Sequence, residues 1–304
     1  MKIALTVFLL IMVLIFSSPC QKSTVIPIKV ERDRTLVTVK IGTLIIPDIL
    51  LDTGFAFDGL MIYNPEYRDS LDLTHAMDVK IGGAGSGKPS MASIIDSTDF
   101  YLSNVKMSNQ RLLVLRSDTY KGYPSNGILG YSIFGHYLTE FNYDNHTMIL
   151  HPEDSIHVDE SWTAIPLYFK NNKIPWLDAS VVIKDEQPIP LSMYIDYAAG
   201  DAIILLEKPD MKFNLPEETV DIHIGKGLSG DIYGKSGKIS KLIIASYELN
   251  HVRASFAPVK IRSKQDDADA ILGNGSLRRF NLIFDYFNKK LYLKPNSHFN
   301  EPCN

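Results

Sequence analysis

Two aspartates stand out by their surroundings. Asp52 follows Ile49-Leu50-Leu51 and opens Asp52-Thr53-Gly54, while Asp196 follows Met193-Tyr194-Ile195 and precedes Tyr197-Ala198. Each leaves the end of an apolar run that reads as a buried strand, where a carboxylate costs free energy unless paired or hydrogen-bonded. Asp-Thr-Gly alone is a weak signal, because Asp and Gly also make ordinary surface turns. Two carboxylates in matching settings suggest a dyad. Carboxyls a hydrogen bond apart cannot both ionise comfortably, so they share one proton. The ionised member can take a proton from a bound water, and the protonated member can donate to the group that the water attacks. This chemistry requires no metal, cofactor or covalent intermediate.

The elements that would position the pair recur in the chain. Residues 126–152 and 269–295, 143 positions apart, align without a gap and share eight identities, including Ile128-Leu129-Gly130 with Ile271-Leu272-Gly273. Both copies end in an aromatic run, an Asn-containing turn and a run closed by Pro, the pattern of a hairpin. Nearly the same offset relates Asp52 to Asp196 and Gly83-Ala84-Gly85-Ser86-Gly87 to Gly225-Lys226-Gly227-Leu228-Ser229-Gly230. An ordered repeat of this kind decides the architecture before any local motif. It divides the chain into lobes at residues 24–152 and 163–295, a linker at 153–162 and a tail at 296–304. β-Branched stretches at 25–30, 36–41, 44–51, 176–183, 191–195, 202–206 and 241–245 read as strands. The weak helical candidates, 132–138 and 275–280, follow the two Ile-Leu-Gly triplets. The expected fold is all-β, with short helices only.

Asp-Thr-Gly, a glycine-rich hairpin about thirty residues later and Ile-Leu-Gly further on resemble the retropepsin and pepsin-like aspartic peptidases. The tail sequence from Ile271 to Pro295 is similar to that of bacterial exported proteins with two tandem retropepsin-like repeats. The resemblance spans roughly residues 24–295. It implies two β-barrel-like lobes related by a pseudo-twofold axis, with Asp52 and Asp196 meeting as catalytic residues between them. It also implies glycine-rich flaps, whose glycines allow positive φ and close backbone approach to an extended peptide. The implied activity is endopeptidase hydrolysis of peptide or protein substrates, without a cofactor, by a monomer that carries both lobes. Tyr197 and Ala198 depart from the family's Thr or Ser followed by Gly, so Thr53 and Gly54 have no like counterpart. The alternative is therefore a catalytically impaired peptide-binding protein. If the Asp196 loop also supplies fewer hydrogen-bond donors, Asp196 is the expected proton holder and Asp52 the expected base.

Other chemistry finds little support. Gly82-x4-Gly87-Lys88 approaches a phosphate-binding loop, but Pro89 stands where Ser or Thr is needed and no helical pattern follows. The eight histidines form no metal-binding motif, and no Gly-x-Ser-x-Gly occurs. A net charge of −4 and a pI near 6.1 argue against nucleic acid as a partner.

Lys2 followed by an apolar run over 3–16, interrupted only by Thr6, reads as a secretory signal at residues 1–19, too short to span a bilayer. The destination implied is periplasmic, cell-surface or secreted. Cys20 resembles a lipoprotein acceptor that would attach the chain to a membrane, although Pro19 and Ser17 depart from that pattern. A disulfide to Cys303 and simple processing remain alternatives. Mass spectrometry of exported protein should find residues 1–19 absent, and an intact Met1 would overturn the export reading. The same spectrum should place Cys20 as a lipid-bearing first residue, an unmodified one, or one removed.

Overall fold

In the computed structural model, residues 22–85, 87–153, 155–170, 173–184, 186–258 and 267–303 are described. The proposed signal at 1–19, Cys20, Ser86 and residue 154 of the linker lie outside the described residues. The fold is mostly β, 55% strand and 4% helix. The first half contains β1 (Thr24–Pro27), β2 (Lys29–Glu31), β3 (Arg34–Ile41), β4 (Leu44–Leu51), β5 (Gly59–Ile62) and β6 (Met77–Ile81). It continues with β7 (Ser90–Leu102), β8 (Val105–Leu115), β9 (Gly127–Leu129), β10 (Leu138–Asn142) and β11 (Thr147–His151). The second half contains β12 (Thr163–Pro166), β13 (Tyr168–Phe169), β14 (Pro175–Val182), β15 (Ile189–Asp196), β16 (Ile203–Glu207) and β17 (Thr219–Gly227). It ends with β18 (Gly230–Ile244), β19 (Tyr247–Pro258), β20 (Ala270–Gly273), β21 (Phe280–Asp285) and β22 (Lys290–Pro295). Three one-turn helices punctuate these strands: α1 (Pro65–Arg68), α2 (Tyr131–Phe134) and α3 (Asn274–Leu277).

The duplication read from sequence reappears as duplicated strand pairing. One eight-stranded sheet has the order β2-β3-β4-β9-β5-β8-β7-β6, and the other has β13-β14-β15-β20-β16-β19-β18-β17. Every strand of the first has its counterpart eleven strands later. The parallel pairs β4–β9 and β5–β8 match the parallel pairs β15–β20 and β16–β19. Each sheet has one further matching pairing, β3 with β7 or β14 with β18.

The outer strands of the halves do not stay apart. They merge into a six-stranded sheet, β1-β11-β10-β21-β22-β12, to which each half contributes three strands. Its centre is the antiparallel pair β10–β21, with Phe141 opposite Leu282 and Thr139 opposite Phe284. Alternation explains why these strands join the halves: Phe141, Leu282 and Phe284 are fully buried, whereas Glu140 and Asn142 are only partly so. Phe134, Phe141, Tyr197 and Phe284 pack together, with ring centroids 4.9–6.2 Å apart.

The two repeat hairpins form as their sequence implies, β10–β11 and β21–β22. The residue with positive φ in each turn is not the shared Asn but the next one, His146 (φ 52°) or Lys289 (φ 54°). Asn145 and Asn288 instead donate their backbone N–H to the side chains of Asn142 and Asp285, at 3.0 and 2.9 Å. The helical candidates shrink to the single turns α2 and α3, because β10 and β21 begin soon afterwards.

Phe284→Ala should lower stability by about 3–5 kcal/mol, the usual cost of truncating a buried Phe. Since the shared sheet joins the halves, urea unfolding followed by fluorescence and by circular dichroism should still give one coincident transition. Separate transitions for the two halves would show that the sheet does not couple them.

Candidate active site

The Asp loops are built by the same strands in each half. Asp52 leaves β4 and its N–H donates to Leu129 O of β9, 3.1 Å away. Asp196 ends β15 opposite Gly273 of β20 in the parallel ladder. The Ile-Leu-Gly triplets thus form the strand beside each aspartate, and their glycines face the loop backbone. A Cβ at Gly130 would lie 2.5 Å from Asp52 O and 2.4 Å from Phe55 O; at Gly273 it would lie 2.1 Å from Asp201 O. Close approach is the physical reason these two positions are glycine.

The loops meet. A Cβ on Gly54 would sit 3.0 Å from Asp52 Oδ1, 3.4 Å from Asp196 Cγ and 3.5 Å from Asp196 Oδ2. The two carboxyl groups therefore flank the same few ångströms of space, and a larger residue at 54 would fill it. Thr53, 3% exposed, braces the seam: its hydroxyl donates to Ile195 O at 2.8 Å and accepts from Tyr197 N at 3.0 Å. Asp52 Oδ1 accepts from Gly54 N at 2.6 Å. Asp196 Oδ1 accepts from Ala198 N and Ala199 N, both at 3.2 Å. The Asp196 loop, expected to offer fewer donors than the Asp52 loop, supplies these two. Those donors are backbone amides of the turn, so the change to Tyr197-Ala198 does not remove them.

Tyr197 is fully buried and turned away from the carboxyl pair. Its hydroxyl makes a short hydrogen bond with Tyr143 Oη, which also donates to Asn274 Oδ1 at 2.9 Å and lies 3.2 Å from Thr35 Oγ1. Burial pushes the Tyr143 phenol up to about 12 and that of Tyr197 well above its ordinary range, so both stay neutral. The two loops also lean on opposite halves. Ala198 packs against the first-half cluster of Leu36, Leu50, Met61, Tyr63 and Tyr120, while Ala56 packs against the second-half cluster containing Trp176 and Tyr194. Burial, aided by the nearby charge of Asp52, raises the phenols of Tyr63, Tyr120 and Tyr286.

The two glycine-rich tips, one between β6 and β7 and the other between β17 and β18, interlock. Ser229 donates its N–H to Ala84 O at 2.8 Å, and its carbonyl accepts from Gly87 N at 2.5 Å. Ser229 Oγ accepts from Gly83 N at 3.2 Å. Gly85 (φ 111°) and Gly230 (φ 112°) occupy conformations that favour glycine, and a Cβ at Gly227 would meet Ala84 O at 2.1 Å. Leu228 packs against the same first-half cluster as Ala198, and Lys226 Nζ donates to Thr119 O at 2.8 Å. Gly225 takes no part, since a Cβ there would meet nothing within 4 Å.

Several residues around the pair carry no sequence signal. Tyr120 and Tyr143 are remote in the chain from both aspartates, Tyr63 follows Asp52 by eleven residues without a motif of its own, and only the aromatic content of the repeat hinted at Tyr143. Among the described residues, no group of three or more His, Cys, Asp or Glu side chains is arranged to hold a metal ion. Cys303 is buried, and burial raises its thiol despite the guanidinium of Arg279. No described helix is long and apolar enough to cross a membrane. No protein-family model matches the chain, and no curated protein matches it.

Thr53→Val should destabilise by about 1–3 kcal/mol, because Ile195 O and Tyr197 N would be left buried and unpaired; thermal unfolding reads this. Gly85→Ala should break the clasp, since the new Cβ would stand 2.6 Å from Ser229 C. Amide exchange at Ser229 and Gly87 should then quicken, while exchange in β10 and β21 stays unchanged.

Proposed function

We propose that this chain is an aspartic-type endopeptidase of the retropepsin and pepsin-like kind, built from two barrel-like lobes related by a pseudo-twofold axis. The observation that carries this reading is the convergence of Asp52 and Asp196 on the space beside Gly54. In this mechanism the pair holds one shared proton and a water between its carboxyl groups. The ionised carboxylate accepts a proton from the water as its oxygen attacks the peptide carbonyl carbon. The protonated carboxyl hydrogen-bonds the carbonyl oxygen, and a proton then passes to the leaving amine. Backbone amides at Gly54, Ala198 and Ala199 donate to Oδ1 of the two carboxyl groups and orient them. The interlocked tips would have to part to admit an extended peptide and then close over it.

A second reading, a peptide-binding protein with impaired turnover, is favoured by Tyr197. Thr53 braces the seam from one side, whereas the hydroxyl of residue 197 is engaged with Tyr143. Tyr197→Thr is a poor test of this reading, because it would open a cavity among Phe134, Phe141 and Phe284. Ala198→Gly leaves that core intact.

A random peptide library incubated at several pH values should be cleaved by the wild type and not by Asp52→Asn. Cleavage should fall at higher pH as the pair loses its shared proton. Undiminished cleavage by Asp52→Asn would overturn the peptidase mechanism. Tight peptide binding without cleavage, in both the wild type and Ala198→Gly, would establish the second reading instead.

A further inference from the structure

Ser23, His151 and Glu140 form a chain of hydrogen bonds on the six-stranded sheet, outside the site already described. Ser23 Oγ lies 2.8 Å from His151 Nδ1, and His151 Nε2 lies 2.8 Å from Glu140 Oε2. An ionised glutamate only accepts, so Nε2 carries the ring hydrogen and Nδ1 accepts from the Ser23 hydroxyl. His151 is 7% exposed, whereas Ser23 is open to solvent. A serine on an imidazole that a carboxylate orients is the arrangement of an activated nucleophile, recognised by roles and geometry and not by a sequence motif.

Strand register builds the chain. Carrying the β1–β11 ladder one residue further sets Ser23 opposite His151, and Glu140 stands diagonal to His151 on β10. Ile28 N donates to His146 O at 3.0 Å. Alternation from that bond makes Ser23 and His151 a non-hydrogen-bonded pair, the kind whose side chains come closest. The same alternation turns the N–H groups of Ser23 and Val25 away from β11, toward the edge of β1 that no described strand covers. They are available as donors to an oxyanion formed at a carbonyl that Ser23 attacks.

A concavity of about 450 Å³ opens on the same face. Ile283 pairs with both Glu140 and Tyr292, which places those two side chains on one side of the sheet. Leu138 and Tyr292 line the concavity from the sheet, and Val158 and Trp162 line it from the linker. Asp159, Glu160 and Lys290 add polar lining. Leu138 is the neighbour of His151 on the side away from Ser23. Two strand spacings, about 10 Å, therefore separate Ser23 from the concavity. An ester held at Ser23 reaches it only with an acyl chain of that length.

We propose that Ser23 is the nucleophile of an esterase site, independent of the aspartate pair, that takes carboxylic esters with medium-length acyl chains. The Ser23 proton passes to His151 Nδ1 as Oγ attacks the carbonyl carbon. The ester C–O bond then breaks, and the alcohol leaves with that proton. Water attacks the acyl-serine in turn, giving its proton to Nδ1. The carboxylic acid departs as the proton returns to Ser23 Oγ.

The test uses the full chain, a fluorophosphonate probe, and the acetate and octanoate esters of p-nitrophenol. Mass spectrometry should find the probe on Ser23 and not on other exposed serines such as Ser103. Ser23 is exposed, so Ser23→Ala tests reactivity and not folding; it should lose the adduct and ester hydrolysis together. His151→Gln should slow both by at least about a hundredfold, the contribution of a positioned general base. Glu140→Gln should slow both less, and Asp52→Asn should change neither. Octanoate should exceed acetate by at least about tenfold in kcat/KM, well within what burying the added methylenes can supply. Tyr292→Ala should reduce that preference without slowing acetate. No adduct on Ser23, equal labelling of Ser23 and Ser103, or undiminished labelling in His151→Gln would overturn the proposal. Labelling of Ser23 without an octanoate preference would overturn the part given to the concavity.

Discussion

Two carboxyl groups brought side by side at a seam between two sheets impose a demand on everything around them. Each must be supplied with donors, each loop must be held against the other, and no side chain may occupy the space between. Backbone amides serve the first demand, those of Ala198 and Ala199 at Asp196 and that of Gly54 at Asp52. The Thr53 hydroxyl meets the second by bonding both ways across the seam. Gly54 meets the third, because anything larger would strike Asp52 Oδ1.

Support for this arrangement extends outward in layers. Gly130 and Gly273 let β9 and β20 approach the loop carbonyls, so each aspartate is fastened to a strand rather than to a free turn. Beneath the loops the aromatic cluster of Phe134, Phe141, Tyr197 and Phe284 fills the junction of the halves. The six-stranded sheet then closes the base with three strands from each half. A shift in that sheet would move both loops together, which is a different mechanical situation from two domains joined by a linker.

The departure at Tyr197 has a structural answer of its own. The tyrosine ring adds buried area and joins Tyr143, Thr35 and Asn274 in a polar network, whereas Thr53 sends its hydroxyl across the seam. Part of the bracing is thus transferred from the loop to the core. Asn274 Nδ2 extends that network to Asp33 O, 2.9 Å away in the first half. The seam is held by different chemistry on its two sides.

The sequence by itself determined the duplication, most strand positions and the pair of aspartates, because each rests on local pattern: apolar runs, glycine spacing and a repeat at near-constant offset. β4 was legible to the residue, and the repeat hairpins followed from their aromatic and Pro-closed pattern. Only the tertiary structure decided that the outer strands of both halves share one sheet, since the likeness of β10 to its repeat copy β21 does not say that the two pair. It also decided where Tyr197 points, which backbone amides face Asp196, and that Ser229 of one tip is clasped by Gly83, Ala84 and Gly87 of the other. These depend on which surfaces meet in space, and backbone donors carry no residue type from which their direction can be read.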